Sequence, residues 1–88
     1  MTEKNVVVGL IGGLDARALA KLVQLAGQYV NCSVVVEYKG RQVNAKSIMG
    51  MMSLGIAKGE ELSIRTEGDH EEIAADKLEK YLTNGEEN

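Results

Sequence analysis

The sequence has no phenylalanine and no tryptophan, and three tyrosines are its only aromatic residues. Leucine, valine, isoleucine, alanine and methionine must therefore fill the core, with the tyrosines at its margins. A single cysteine, Cys32, excludes an internal disulfide. No histidine or second cysteine neighbours it in sequence, so it reads as a small apolar residue at a loop-to-strand junction. One cysteine and one histidine, far apart, are too few ligands for a metal site, and no cofactor is expected. Basic residues form no run, and the net charge is −3. Both facts argue against a nucleic-acid binder, which needs clustered cations to neutralise phosphates. No apolar stretch approaches membrane-spanning length, so no membrane insertion is expected. Lys4 is followed only by a short Val-rich run and then glycines, which is no signal peptide. A cytoplasmic protein is expected.

What is present suits one small domain over residues 1–88. Hydrophobic residues make up 44% and charged residues 26%, ordinary globular values. A chain this short buries only about 60–65% of the surface its unfolded form exposes, so the core will be thin.

Periodicity gives the element order. Asn5–Leu10 is Val-rich and strand-like, and Gly12-Gly13 breaks it. Leu19, Leu22, Val23 and Ala26 then fall at helical spacing, with Asp15 as an N-cap candidate and Gly27 weakening the end. Ser33–Tyr38 reads as a strand with Val34, Val36 and Tyr38 on one face. Lys39-Gly40 is a two-residue hairpin signal leading into Arg41–Asn44. Ser47 caps a short Met-rich helix running to about Leu54, and Lys58-Gly59 is a turn. Glu61–Thr66 alternates, with Leu62, Ile64 and Thr66 inward. Asp69 and Glu72 have capping-box spacing before a last helix that buries Ala74, Leu78, Tyr81 and Leu82. The tail over 84–88 is polar and expected to fray. The order β-α-β-β-α-β-α suggests an α+β fold, a four-stranded antiparallel sheet covered on one face by three helices.

Two places carry candidate chemistry. Asp15 and Arg17 stand at the mouth of the first helix, where free amides and the dipole favour an anion. An N-cap and a solvated arginine explain the same residues. In the second place, Lys46-Ser47-Ile48-Met49-Gly50-Met51-Met52, a serine opens a helix too short to bury apolar residues around most of its circumference. Some of that surface must be exposed, beside a phosphorylatable hydroxyl, where it would suit a docking partner.

The run at 43–55, Val-Asn-Ala-Lys-Ser-Ile-Met-Gly-Met-Met-Ser-Leu-Gly, resembles the regulatory serine region of HPr, the phosphocarrier family of the bacterial sugar phosphotransferase system. Gly13-Leu14-Asp15-Ala16-Arg17-Ala18 resembles the family's active-site motif. The resemblance extends over essentially the whole chain and implies the family's open-faced β-sandwich. Two departures stand out. Asp15 replaces the family's phosphoryl-accepting histidine, and Ala18 replaces the proline that follows it. The stretch from Arg17 to Ser47 is also one residue longer than usual, an insertion expected around Val30–Ser33. His70, the only histidine, reads as a solvated surface residue.

The resemblance is to the histidine-lacking, Crh-like class of the family. It implies a regulatory protein of carbon catabolite control and not an enzyme. Ser47 would be phosphorylated by an HPr kinase/phosphorylase. Arg17, Ser47, Ile48, Met49 and Met52 would then contact a transcription regulator of the catabolite control protein A type. Met51 occupies a place where the family usually has another apolar residue. Two other readings stay open: a phosphocarrier that accepts phosphate from Enzyme I on Asp15, and a metabolic binding module that is never phosphorylated. The oligomeric state is left open.

Overall fold

A computed structural model describes residues 1–86. In chain order the elements are β1 (Thr2–Val7), α1 (Ala16–Gly27), β2 (Cys32–Tyr38), β3 (Arg41–Asn44), α2 (Ile48–Met52), β4 (Glu61–Gly68) and α3 (Glu71–Asn84). The four strands form one sheet in the order β1-β4-β2-β3, every neighbouring pair antiparallel. The fold is the expected α+β arrangement, an open sheet with three helices.

Alternation decides which face of the sheet is covered. Val6 stands opposite Leu62, and Val36 opposite Ile64. These residues are buried together with Val34, Tyr38 and Thr66 beneath Leu19, Leu22, Ala74, Leu78 and Leu82 of the helices. The other face is mainly polar, with Val7 and Val35 among its charged residues. Arg65 lies 3.9 Å from Glu3 and 3.6 Å from Glu37, one carboxylate on each neighbouring strand, and the Ser63 hydroxyl donates to Asn5 at 2.8 Å. One period-2 pattern thus makes both a packed side and a solvated side. Cys32 is buried, as its reading required.

The first strand differs from expectation. It begins at Thr2 and ends at Val7, whereas the Val-rich run places it at Asn5–Leu10. β4 continues to Gly68, and its outer half draws Thr2 and Glu3 into register with Thr66 and Arg65. Beyond Val7 the backbone leaves the ladder. Val8 N–H donates to the Glu60 carbonyl and Gly9 N–H to that of Leu82, both at 2.9 Å. A Cβ on Gly9 would lie 2.1 Å from the Thr83 carbonyl oxygen, so glycine is what permits this turn against α3.

The capping box at Asp69 and Glu72 does not form. Asp69 N–H is held by the Asn31 carbonyl at 3.0 Å, which ties it to the turn between α1 and β2. The cap falls one residue later, on His70, in the left-handed region at φ 59° and with no side-chain cap bond. Glu71 acts in place of Glu72. Its carboxylate accepts from Gly68 N–H at 3.1 Å and from the Thr2 hydroxyl at 2.8 Å, and it pairs with the Met1 ammonium at 2.8 Å. These partners hold the Glu71 carboxyl down to about 2, below its ordinary 4.5. His70 is exposed, and the expected stripe of α3 is buried. Asn84 belongs to α3 and Gly85 caps it, so the helix takes in the first residue of the polar tail; Glu87 and Asn88 lie outside the described residues.

Candidate functional site

The first candidate region is built by the turn that precedes α1. Gly13 has φ +65°, and a Cβ there would come within 3 Å of Ile56, Ala57 and Lys58. This close approach seats Leu14, whose N–H donates to the Ile56 carbonyl at 2.9 Å. Asp15 then opens the helix in the predicted role. One carboxylate oxygen accepts from Ala18 N–H at 2.9 Å, while its own carbonyl starts the helical ladder with Leu19 at 2.8 Å. Beside it lies an open depression of about 550 Å³, lined in part by Gly12, Asp15, Arg17, Lys21, Gln24 and Tyr81. Arg17 is exposed, and its guanidinium has no hydrogen-bond or ion-pair partner among the described residues.

The second region is α2. Ser47 is its N-cap, and the hydroxyl oxygen accepts from Gly50 N–H at 3.2 Å. Asn44 prepares that geometry, because its carbonyl accepts from Ser47 N–H and its side chain from Lys46 N–H. Met51 points into the core with Leu54 below it, while Ile48, Met49 and Met52 are exposed. α2 ends at Met52, with Ser53 as its C-cap, and Leu54 follows in the turn.

α2 packs on α1, which brings the two regions to adjacent helices. Asp15 and Arg17 share the depression; Ser47, Ile48, Met49 and Met52 do not line it. The site is therefore two separate surfaces on packed helices, one polar at the mouth of α1 and one apolar on α2.

Two supporting contacts had no local signal in the sequence. Lys46 donates from Nζ to the Tyr29 carbonyl at 2.7 Å, just past the C-cap of α1. α1 has no basic residue in its own last turn, so Lys46 brings a cation to its negative end from another element. Arg41 clasps the far end of α2, donating to the Ser53 carbonyl at 3.1 Å and to its hydroxyl at 2.9 Å. Ser53 in turn donates to the Gly50 carbonyl at 2.7 Å. The helix that carries Ser47 is thus held at its start by Lys46 and Asn44, and at its end by Arg41.

The whole chain is similar to known proteins. The family model described as the PTS HPr component phosphorylation site matches residues 2–84. HPr-like protein Crh of Halalkalibacterium halodurans is 43% identical over 82 residues, covering 93% of this chain and 96% of the relative. Phosphocarrier protein HPr of Cupriavidus necator is 47% identical over 72 residues, covering 82% of this chain and 80% of the relative. A crystal structure of phosphocarrier protein HPr from Bacillus anthracis superposes with a TM-score of 0.89 at 43% identity, covering 92% of this chain and 95% of that one.

Proposed function

The chain belongs to the HPr family of the phosphotransferase system, and we propose that it acts there as a regulatory protein controlled at Ser47. An HPr kinase/phosphorylase transfers the terminal phosphoryl group of ATP to the Ser47 hydroxyl. A transcription regulator of the catabolite control protein A type then binds the phosphorylated surface. The chain is a phosphorylation substrate and not itself a catalyst, and its place of action is the cytoplasm.

One contrast carries this reading. The serine run at 43–55 is intact and opens an exposed apolar helix, while position 15 holds aspartate where the family has histidine. The chemistry is consistent with that contrast. Phosphorylation adds roughly −1.5 to −2 charges and three acceptor oxygens. The Gly50 amide already points at the Ser47 oxygen, and charge-assisted bonds are stronger than the neutral bond it replaces. Arg17, on the adjacent helix with its guanidinium uncommitted, extends the contact to the partner, and Ile48, Met49 and Met52 supply its apolar part.

Asp15 fits the carrier reading poorly. A carboxylate can accept a phosphoryl group as an acyl phosphate. Its arm is shorter than imidazole, however, and transfer geometry is sensitive to displacements on the order of 1 Å. One of its oxygens is also bonded to Ala18 N–H.

Binding of the kinase-treated protein to the regulator tests the proposal. Charge-assisted hydrogen bonds contribute about 1.5–3 kcal/mol each, so phosphorylation is expected to raise affinity about tenfold or more. Ser47→Ala should abolish the gain, and Ser47→Asp should restore little of it, having less charge and fewer acceptors. A fully phosphorylated protein that binds no better than Ser47→Ala contradicts the proposal.

A further inference from the structure

The sulfur atoms of this chain are few and unevenly placed. Cys32 is 3% exposed and Met51 is fully buried at 0%. The other three, Met1, Met49 and Met52, are 71%, 81% and 59% exposed. Two of these three exposed methionines stand on one short helix, on the apolar side that begins next to Ser47. The sequence has no tryptophan to divert an oxidant, and its lone thiol is enclosed. Two of the three exposed sulfur-bearing residues are therefore on α2, the third being Met1.

We propose that Met49 and Met52 are an oxidation site at which hydroperoxides convert the apolar face of α2 into a polar one and thereby weaken partner docking beside Ser47. The docking half of this inference rests on the functional reading above. In the reaction a thioether lone pair attacks one oxygen of the peroxide. The S–O bond forms, the O–O bond breaks, and the remaining oxygen leaves with the proton as water or an alcohol. Sulfur is oxidised by two electrons and the peroxide is reduced by two. The product is a sulfoxide, a polar group on a side chain that was apolar, and methionine sulfoxide reductases reverse it. A sulfoxide oxygen buried at an interface without a partner carries an uncompensated desolvation cost.

Met51 separates a surface effect from general damage. It lies on the same helix and has the same chemistry, but the core shields its sulfur. Hydrogen peroxide should therefore oxidise Met1, Met49 and Met52 well before Met51, and the fold should survive addition of those oxygens.

The experiment titrates the intact protein with hydrogen peroxide and maps each sulfoxide by peptide mass. Two readouts follow on the same samples: retention on a hydrophobic-interaction column, and affinity of the Ser47-phosphorylated form for the regulator. Expected are earlier elution and about a tenfold or greater loss of affinity, both restored by the reductases. A Met49→Leu/Met52→Leu variant should keep through peroxide treatment whatever affinity it starts with. Oxidation of Met51 in step with Met49, or unchanged elution once Met49 and Met52 are oxidised, overturns the inference. An oxidised phosphoprotein that binds as tightly as the untreated one overturns the docking half. If the untreated phosphoprotein does not bind at all, the functional reading fails and takes the docking half with it, while mapping and elution still decide the oxidation site.

Discussion

Asp15 has one carboxylate oxygen committed to the Ala18 amide, in the geometry of a helix N-cap. Removing such a cap costs about 0.5–2 kcal/mol. Asp15→Ala should lower stability by that amount in urea denaturation; a variant as stable as the parent would mean the side chain is no cap. Glu71 makes a pH-dependent contribution. Its folded carboxyl sits at about 2, below the ordinary 4.5, chiefly through its bond to the N-terminal ammonium. The stabilisation is thus present above about pH 4.5 and is lost as pH falls toward 2. The ammonium is raised above its ordinary 8.0 by the same partner, so its share is present below pH 8 and is lost as pH rises through the raised value. Glu71→Gln should be less stable than the parent at neutral pH, and the gap should narrow as acid is added. A gap that does not change with pH contradicts this assignment.

Among the elements, those governed by local rules were legible in sequence. The alternation of Glu61–Thr66 and the i, i+3, i+4 stripe of α1 point side chains at the core; the structure buries Leu62, Ile64 and Thr66, and in α1 Leu19, Leu22 and Ala26, while Val23 is only partly buried and Leu25, outside the stripe, is buried. The Lys39-Gly40 hairpin was legible as well, with both residues at positive φ. Elements whose ends depend on distant partners were not. β1 begins at Thr2 because β4 offers a ladder there, and α3 starts after His70 because Asn31 holds Asp69. At the candidate site, Asp15 and Ser47 could be read as caps from residue type alone. The Arg41 clasp on Ser53 could not, since twelve residues separate the two and no short-range spacing marks them. Arg41→Ala removes two exposed hydrogen bonds, each contributing about 0.5–1.5 kcal/mol at most. The expected result is a small loss of global stability with faster amide exchange confined to α2 and its C-cap. Unchanged exchange at Met51–Leu54 would mean that α2 is held by its packing alone.

In the molecule as a whole, a covered sheet face leaves the other face mainly polar, and the two candidate regions lie on α1 and α2, helices that pack together. Pattern alone gave the element order but not the strand order β1-β4-β2-β3, because several windings share that order. Resemblance to HPr supplied the fold that periodicity left open. Arg17, on the helix next to Ser47, should matter for docking and not for modification: Arg17→Ala should weaken regulator binding while Ser47 is still phosphorylated at the parent rate. Equal loss of both would assign Arg17 to kinase recognition. In the proposed function, Ser47 carries the regulatory chemistry and Asp15 does not serve as a carrier. The most direct measurement incubates the protein separately with HPr kinase plus ATP and with Enzyme I plus phosphoenolpyruvate, then reads intact mass and maps the modified residue. One acid-stable phosphate on Ser47 is expected in the first reaction and no efficient labelling in the second. An unmodified Ser47 in the first, or rapid stoichiometric labelling of Asp15 in the second, would contradict it.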